Sequence, residues 1–209
     1  QGPACAMAAG AGTIYRSYFA DINGQIGQTA DRQIDCLKDL GKAMGNDDER
    51  LWTMQNGYAM ATHAGLEEIN RHILAMTESQ LDDLRTNLRI GIQWDTQVTL
   101  SACDHLVSQI YCSALPVAYS EHGERLWAPF AKLILQASYE ATMHAAVLNF
   151  QKTGNNKVFL TLIGGGAFGN LHSWIFAAIE RAIGHVSHVP LDVAIVSYGA
   201  SKPGVSELI

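Results

Sequence analysis

The stretch VFLTLIGGGAFGNLHSWIFAAIERA, Val158 to Ala182, joins an apolar run to an amphipathic one through three consecutive glycines. Val158 to Ile163 carries no charge and is rich in β-branched and aromatic residues, the pattern of a strand covered on both faces. Trp174, Ile175, Ala178, Ile179 and Ala182 recur every three or four residues, which predicts a helix opening near Asn170 or Leu171. Between them Gly164, Gly165 and Gly166 permit positive φ and close backbone approach, so amides turn inward at the strand's carboxyl end. The positive end of the following helix faces the same place, which suits a phosphate or a carboxylate. From the glycines alone, an empty βα turn is an equally good reading. No Gly-Lys-Ser/Thr follows at P-loop spacing, and no early βαβ unit with a later acidic residue makes this a dinucleotide fingerprint.

Working outward, Leu126 to Phe150 has helical spacing, and Leu191 to Tyr198 reads as a final buried strand. Ile90 to Leu100 alternates as a half-exposed strand, and Leu106 to Ala118 is more fully apolar. Leu66–Met76 and Glu78–Arg89 read as two helices, the second opened by Thr77 and Gln80 in capping-box spacing. Leu51 to Ala61 reads as a short strand or a hairpin about Asn56-Gly57. Thr29 is placed to cap a helix from Ala30 to Met44, and residues 1–28 read as a Gly/Ala-rich loop with a short helix near Ile14–Phe19. Strands alternating with helices predict one α/β domain over residues 1–209, with a mostly parallel or mixed central sheet and a helical insertion at about 63–89.

The 209 residues carry a net charge of -6, which excludes the basic footprint of a phosphate-gripping nucleic-acid binder. No apolar run is long enough to span a membrane, and none resembles a signal peptide. The four cysteines are widely spaced without a C-x-x-C pair, so neither a zinc ribbon nor a disulfide framework is indicated, and a cytoplasmic location follows as the expectation. The eight histidines show no paired ligand spacing, so no metal and no cofactor are expected. The opening QGPACAMAAGAG lacks a helix cap and a complete strand, which predicts that the first strands of the domain precede Gln1.

The order CSALPVAYS, long helix, LTLIGGGAFGN, helix, LDVAIVSYG resembles the macrodomain family of ADP-ribose-binding modules. The first half, QGPACAMAAGAGTIYRSYF followed by GQTADRQIDCLKDLG, resembles a divergent macrodomain branch that removes ADP-ribose from arginine and includes secreted bacterial effectors. The resemblance implies a three-layer α/β/α sandwich that lacks its first strands here and depends on that missing N-terminal segment. It implies ADP-ribose, or an ADP-ribosylated protein, as the partner. The diphosphate is then expected between Gly10–Thr13 (Gly10, Gly12, Thr13) and Gly164–Asn170 (Gly164, Gly165, Gly166, Ala167, Phe168, Gly169, Asn170). Arg16, Gln28, Thr29 and Tyr198 complete the implied ligand set, with Tyr198 near the adenine or ribose.

Hydrolysis of an N-glycosidic bond needs a stabilised oxocarbenium-like ribose, a water delivered to its anomeric carbon, and a protonated leaving group. Asp31 and Asp35, four residues apart in the expected helix, would share one face at its positive end. They are the candidate catalytic carboxylates, with Asp31 placed first. Their bland alternative is that acidic residues in a first helical turn merely complement the dipole. A reader that binds ADP-ribose without cleaving it is the alternative function.

Overall fold

The computed structural model describes residues 7–197 and 199–205. In chain order its elements begin α1 (Gly12–Tyr18), β1 (Asp21–Ile22), β2 (Gln25–Ile26), α2 (Lys38–Ala43), β3 (Trp52–Gln55), β4 (Tyr58–Ala61), α3 (His63–Ala75) and α4 (Glu78–Arg85). They continue with β5 (Gly91–Gln97), β6 (Leu106–Tyr111), a 3-10 turn (Val117–Tyr119), α5 (Glu124–Thr153), β7 (Lys157–Thr161), α6 (His172–His185) and β8 (Asp192–Val196). The class is α/β. Two compact units divide the chain, Gln1–Cys36 with Ile90–Cys112, and Leu37–Arg89 with Ser113–Ile209.

In the first unit, β1 and β2 form a minimal antiparallel hairpin whose tip, Asn23-Gly24, has positive φ at both residues. The β5–β6 hairpin is also antiparallel, and its register shifts between Gln93 and Thr96, where Asp95 takes a φ of 53°. The chain before α1 lies along this hairpin. Thr99 donates its amide to the Ala8 carbonyl at 2.8 Å, and the Gln109 side chain donates to the Ala9 carbonyl.

The second unit is organised by α5, a helix of 30 residues and therefore about 45 Å long. It ends where Gly154 turns left-handed, and it packs against α3, α4 and α6. The capping box of Thr77 and Gln80 forms at the start of α4 as its spacing predicts, and Thr62 caps α3 by accepting the Gly65 amide at 2.9 Å. Asn56 and Gly57, both at positive φ, turn β3 into β4 with Gln55 opposite Tyr58. β7 and β8 pair in parallel, from Lys157 opposite Asp192 to Thr161 opposite Val196. On α6 the predicted stripe of Trp174, Ile175, Ala178, Ile179 and Ala182 is buried, each large side chain contributing about 1.5–3 kcal/mol.

Three expectations are corrected. The helix from Ala30 to Met44 is present only as Lys38–Ala43, because Gln28 and Thr29 tie the preceding segment into an irregular turn. Strand β7 is buried on one face only: Val158 and Leu160 point into the core under α5 and α6, while Phe159 is 69% exposed. Among the described residues the strands pair two by two, as three antiparallel pairs and one parallel pair, where the sequence predicts one mixed central sheet.

Candidate functional site

The glycine loop between β7 and α6 is held from below by one side chain. Tyr139, buried on α5, donates its hydroxyl to the Thr161 carbonyl at 2.7 Å and accepts the Ile163 amide at 3.0 Å. The same two backbone groups also bond each other at 3.0 Å, so the Tyr139 hydroxyl braces a turn that the strand end already makes. The chain then turns through Gly164, at φ 78°, and Gly165 donates its amide to the Leu162 carbonyl.

A second segment, Ala114–Tyr119, clamps the far side of the loop. The Ala118 amide donates to the Phe168 carbonyl at 2.9 Å, and the Asn170 side-chain amide donates to the Leu115 carbonyl at 2.8 Å. Small residues make this approach feasible: a Cβ on Gly169, itself at φ 70°, would stand 2.7 Å from the Ala118 Cβ. A Cβ on Gly164 would fall on Ala114 and the Asn170 amide. Gly166, by contrast, has open space where a Cβ would be.

The pinned loop leaves polar groups unclaimed. Among the described residues, the amides of Gly166, Ala167 and Phe168 have no protein acceptor. Asn170 is 4% exposed, and its side-chain oxygen has no hydrogen-bond partner although its nitrogen is fully engaged. The loop therefore presents donors from the backbone beside the first turn of the 14-residue helix α6, with the Asn170 oxygen enclosed beneath it. His172, in that turn, lies against Gly165 and stacks on Phe176 at 5.8 Å.

Phe168 completes an aromatic corner. It meets Tyr58 of β4 edge to face at 5.7 Å and Tyr119 of the 3-10 turn at 5.4 Å, and the two tyrosines meet each other at 5.4 Å. Tyr119 lies within CSALPVAYS, but no local pattern marks Tyr58, since the contact joins three segments about 60 and about 50 residues apart. Residues Ala114, Ala118 and Tyr139 were likewise invisible to periodicity; only the CSALPVAYS resemblance drew attention to two of them.

The other candidate residues belong to the first unit. Gly10 and Gly12 are pressed against the β5–β6 hairpin: a Cβ on Gly10 would strike Thr96, and one on Gly12 would fall on the Tyr111 hydroxyl and the Gln93 side chain. Their smallness thus serves internal packing. Gly12 and Thr13 open helix α1 in place of the expected loop, and Arg16 stands exposed in its last turn. Gln28 accepts the Ile34 amide at 2.9 Å with its side chain, and Thr29 accepts from Gln25 at 3.3 Å; Thr29 caps no helix. Asp31 is exposed and Asp35 half-buried, both ahead of α2, so the expectation that they share a helical face and a dipole is corrected. Asp39, inside α2, pairs instead with Arg89 at 2.8 Å. Burial first, and then the Asp35 charge, push the Cys36 thiol above its ordinary value, with Arg16 opposing. Tyr198 lies outside the described residues.

Among the described residues no three His, Cys, Asp or Glu side chains converge as metal ligands, and no helix is long and apolar enough to cross a membrane. No family model, curated protein or solved structure matches the chain.

Proposed function

We propose that the Gly164–Asn170 loop holds the diphosphate of ADP-ribose, within a macrodomain-like three-layer sandwich, and that the chain removes ADP-ribose from modified protein side chains, arginine foremost. The observation that carries the reading is the set of unclaimed amides at Gly166, Ala167 and Phe168 on a loop otherwise fixed by Tyr139, Ala118 and Asn170. Fixed donors without acceptors favour an anion, because no loop reorganisation opposes its binding. A bare anion would use only the donors. Phe168, whose amide is one of these donors, also brings an aromatic ring beside them, which favours a phosphate joined to a ring-bearing group.

In the hydrolytic step, the oxygen of water bonds to the anomeric carbon as the bond from that carbon to the arginine nitrogen breaks. The bonding pair goes to the guanidino nitrogen; one proton of the attacking water stays on the new ribose hydroxyl, and a carboxylate takes the other and passes it to that nitrogen, ending unchanged. Asp31 and Asp35 are the residues on which this step is tested. Their position outside any helix favours the second reading, a module that binds ADP-ribose without cleaving it.

Titration calorimetry with ADP-ribose is the direct test. Gly166→Asp places a carboxylate over the free amides at a position with room for a side chain, so it should weaken binding at least about tenfold without unfolding the protein. Asp31→Ala should retain binding and lose release of ADP-ribose from a modified arginine peptide. Absence of binding by the parent protein at millimolar ADP-ribose rejects the reading, and binding without turnover leaves the reader.

A further inference from the structure

We infer that the aromatic corner beside the glycine loop is the surface that receives the protein side of the substrate, a cationic peptide segment bearing guanidinium groups; this rests on the ADP-ribose reading above. The corner extends beyond Tyr58, Tyr119 and Phe168. The chain leaving Tyr58 reaches His63 at the start of α3, the chain leaving Tyr119 reaches His122 just before α5, and these two rings meet edge to face at 5.7 Å. Two neighbouring junctions thus contribute two ring pairs, with Phe168 of the glycine loop at the tyrosine end.

Access and charge both specify the occupant. Tyr58 is 37% and Tyr119 45% exposed; each edge-to-face contact covers only one face of one ring, and the remaining exposed ring surface is open to a partner. Aromatic faces carry negative potential and attract planar guanidinium ions by stacking and cation–π contact. Within residues 58–67 and 117–126 the carboxylates are Glu67, Glu121 and Glu124, against the single guanidinium of Arg125. Glu67 lies 3.8 Å from His63, and Glu121 and Glu124 are exposed. That excess of negative charge opposes a polyphosphate or a nucleic-acid strand, which aromatic rings alone would accept. Phe168 belongs at once to the anion-facing loop and to the corner, so an anionic modification and its cationic carrier would meet at this residue.

The test uses the full chain and two separate ligands. One arm measures fluorescence anisotropy of an arginine-rich peptide, a glutamate-rich peptide of equal length and a short single-stranded oligonucleotide; the other measures ADP-ribose by calorimetry. The arginine peptide alone should bind, and more weakly as salt rises. Tyr58→Ala, Tyr119→Ala and the double change Glu121→Gln with Glu124→Gln should each weaken it by about fivefold or more, while Tyr58→Phe retains it. ADP-ribose affinity should stay within about twofold of the parent in the Glu→Gln variant, since neither carboxylate touches the loop amides. Failure of the parent to bind the arginine peptide, equal binding of the acidic peptide or the oligonucleotide, or indifference to all three variants overturns the inference. Loss of the ADP-ribose arm with the peptide arm intact overturns instead the ligand assigned to the loop.

Discussion

Gly169→Ala should unfold the glycine loop from its clamp. Two terms add. Alanine at φ 70° enters the left-handed region, which costs roughly 1–2 kcal/mol for a residue with a Cβ. The new Cβ would also stand 2.7 Å from the Ala118 Cβ, against an ordinary carbon contact of about 3.5–4.0 Å, and 3.4 Å from the Ala118 amide nitrogen. Ala118 has little freedom to retreat, since its amide is bonded to the Phe168 carbonyl at 2.9 Å, and overpacking of this kind costs roughly 1–3 kcal/mol. The sum is about 2–5 kcal/mol. At about 2–4 °C per kcal/mol for a chain of this size, Tm should fall by roughly 4–20 °C in a thermal melt followed by circular dichroism. Gly166→Ala is the internal control: its Cβ meets nothing and its φ is unremarkable, so its melt should lie within about 2 °C of the parent. If the two variants melt together, the close contact between the loop and Ala114–Tyr119 is wrong, and with it the rigidity that the anion site requires.

Three further outcomes follow from the packing. Tyr139→Phe removes the hydroxyl that serves both Thr161 and Ile163 but leaves these two bonded to each other, so stability to urea should drop by about 0.5–1.5 kcal/mol and exchange of the Ile163 amide should accelerate more than exchange on α5. Arg85, 6% exposed, bonds Glu78, Asp82 and Gln136, whereas Arg181 reaches the same two carboxylates from α6; Arg85→Met should therefore cost only about 1–2 kcal/mol by urea melt, and Arg85→Met with Arg181→Met clearly more than the sum of the single changes. For Cys36, a thiol pKa raised by burial and by Asp35 means less thiolate, so alkylation at pH 8 should be slower than that of free cysteine and should speed up in Asp35→Asn. The sign for stability is a loss with rising pH, beginning once the unfolded thiol ionises and ending at the folded thiol's higher value.

The legible parts of the fold were those written in local chemistry. Asn56-Gly57 announced a hairpin, Thr77 with Gln80 a helix start, and the stripe from Trp174 to Ala182 the face that α6 buries. Residues 30–44 misled because Leu37, Leu40 and Met44 do carry helical spacing, yet Ile34 is left exposed and Gln28 captures its amide, a competition that spacing does not register. Val158 to Ile163 misled because an apolar run does not say how many faces are covered. In the candidate site, the glycine loop is visible in the sequence and the CSALPVAYS resemblance marks the segment of Ala114, Ala118 and Tyr119, whereas Tyr58 looks ordinary until the chain brings it to Phe168.

The two compact units are interleaved along the chain, each being assembled from two stretches with part of the other between them. During synthesis, the segment around Ala8 and Ala9 emerges long before Thr99 and Gln109, the residues that accept it into the first unit. The glycine loop in turn cannot close on Ala118 until the whole of α5 has been made. Neither unit is therefore finished by a nascent chain that stops near residue 90, and a ribosome-stalled product of that length should expose both halves to chaperones and proteases together.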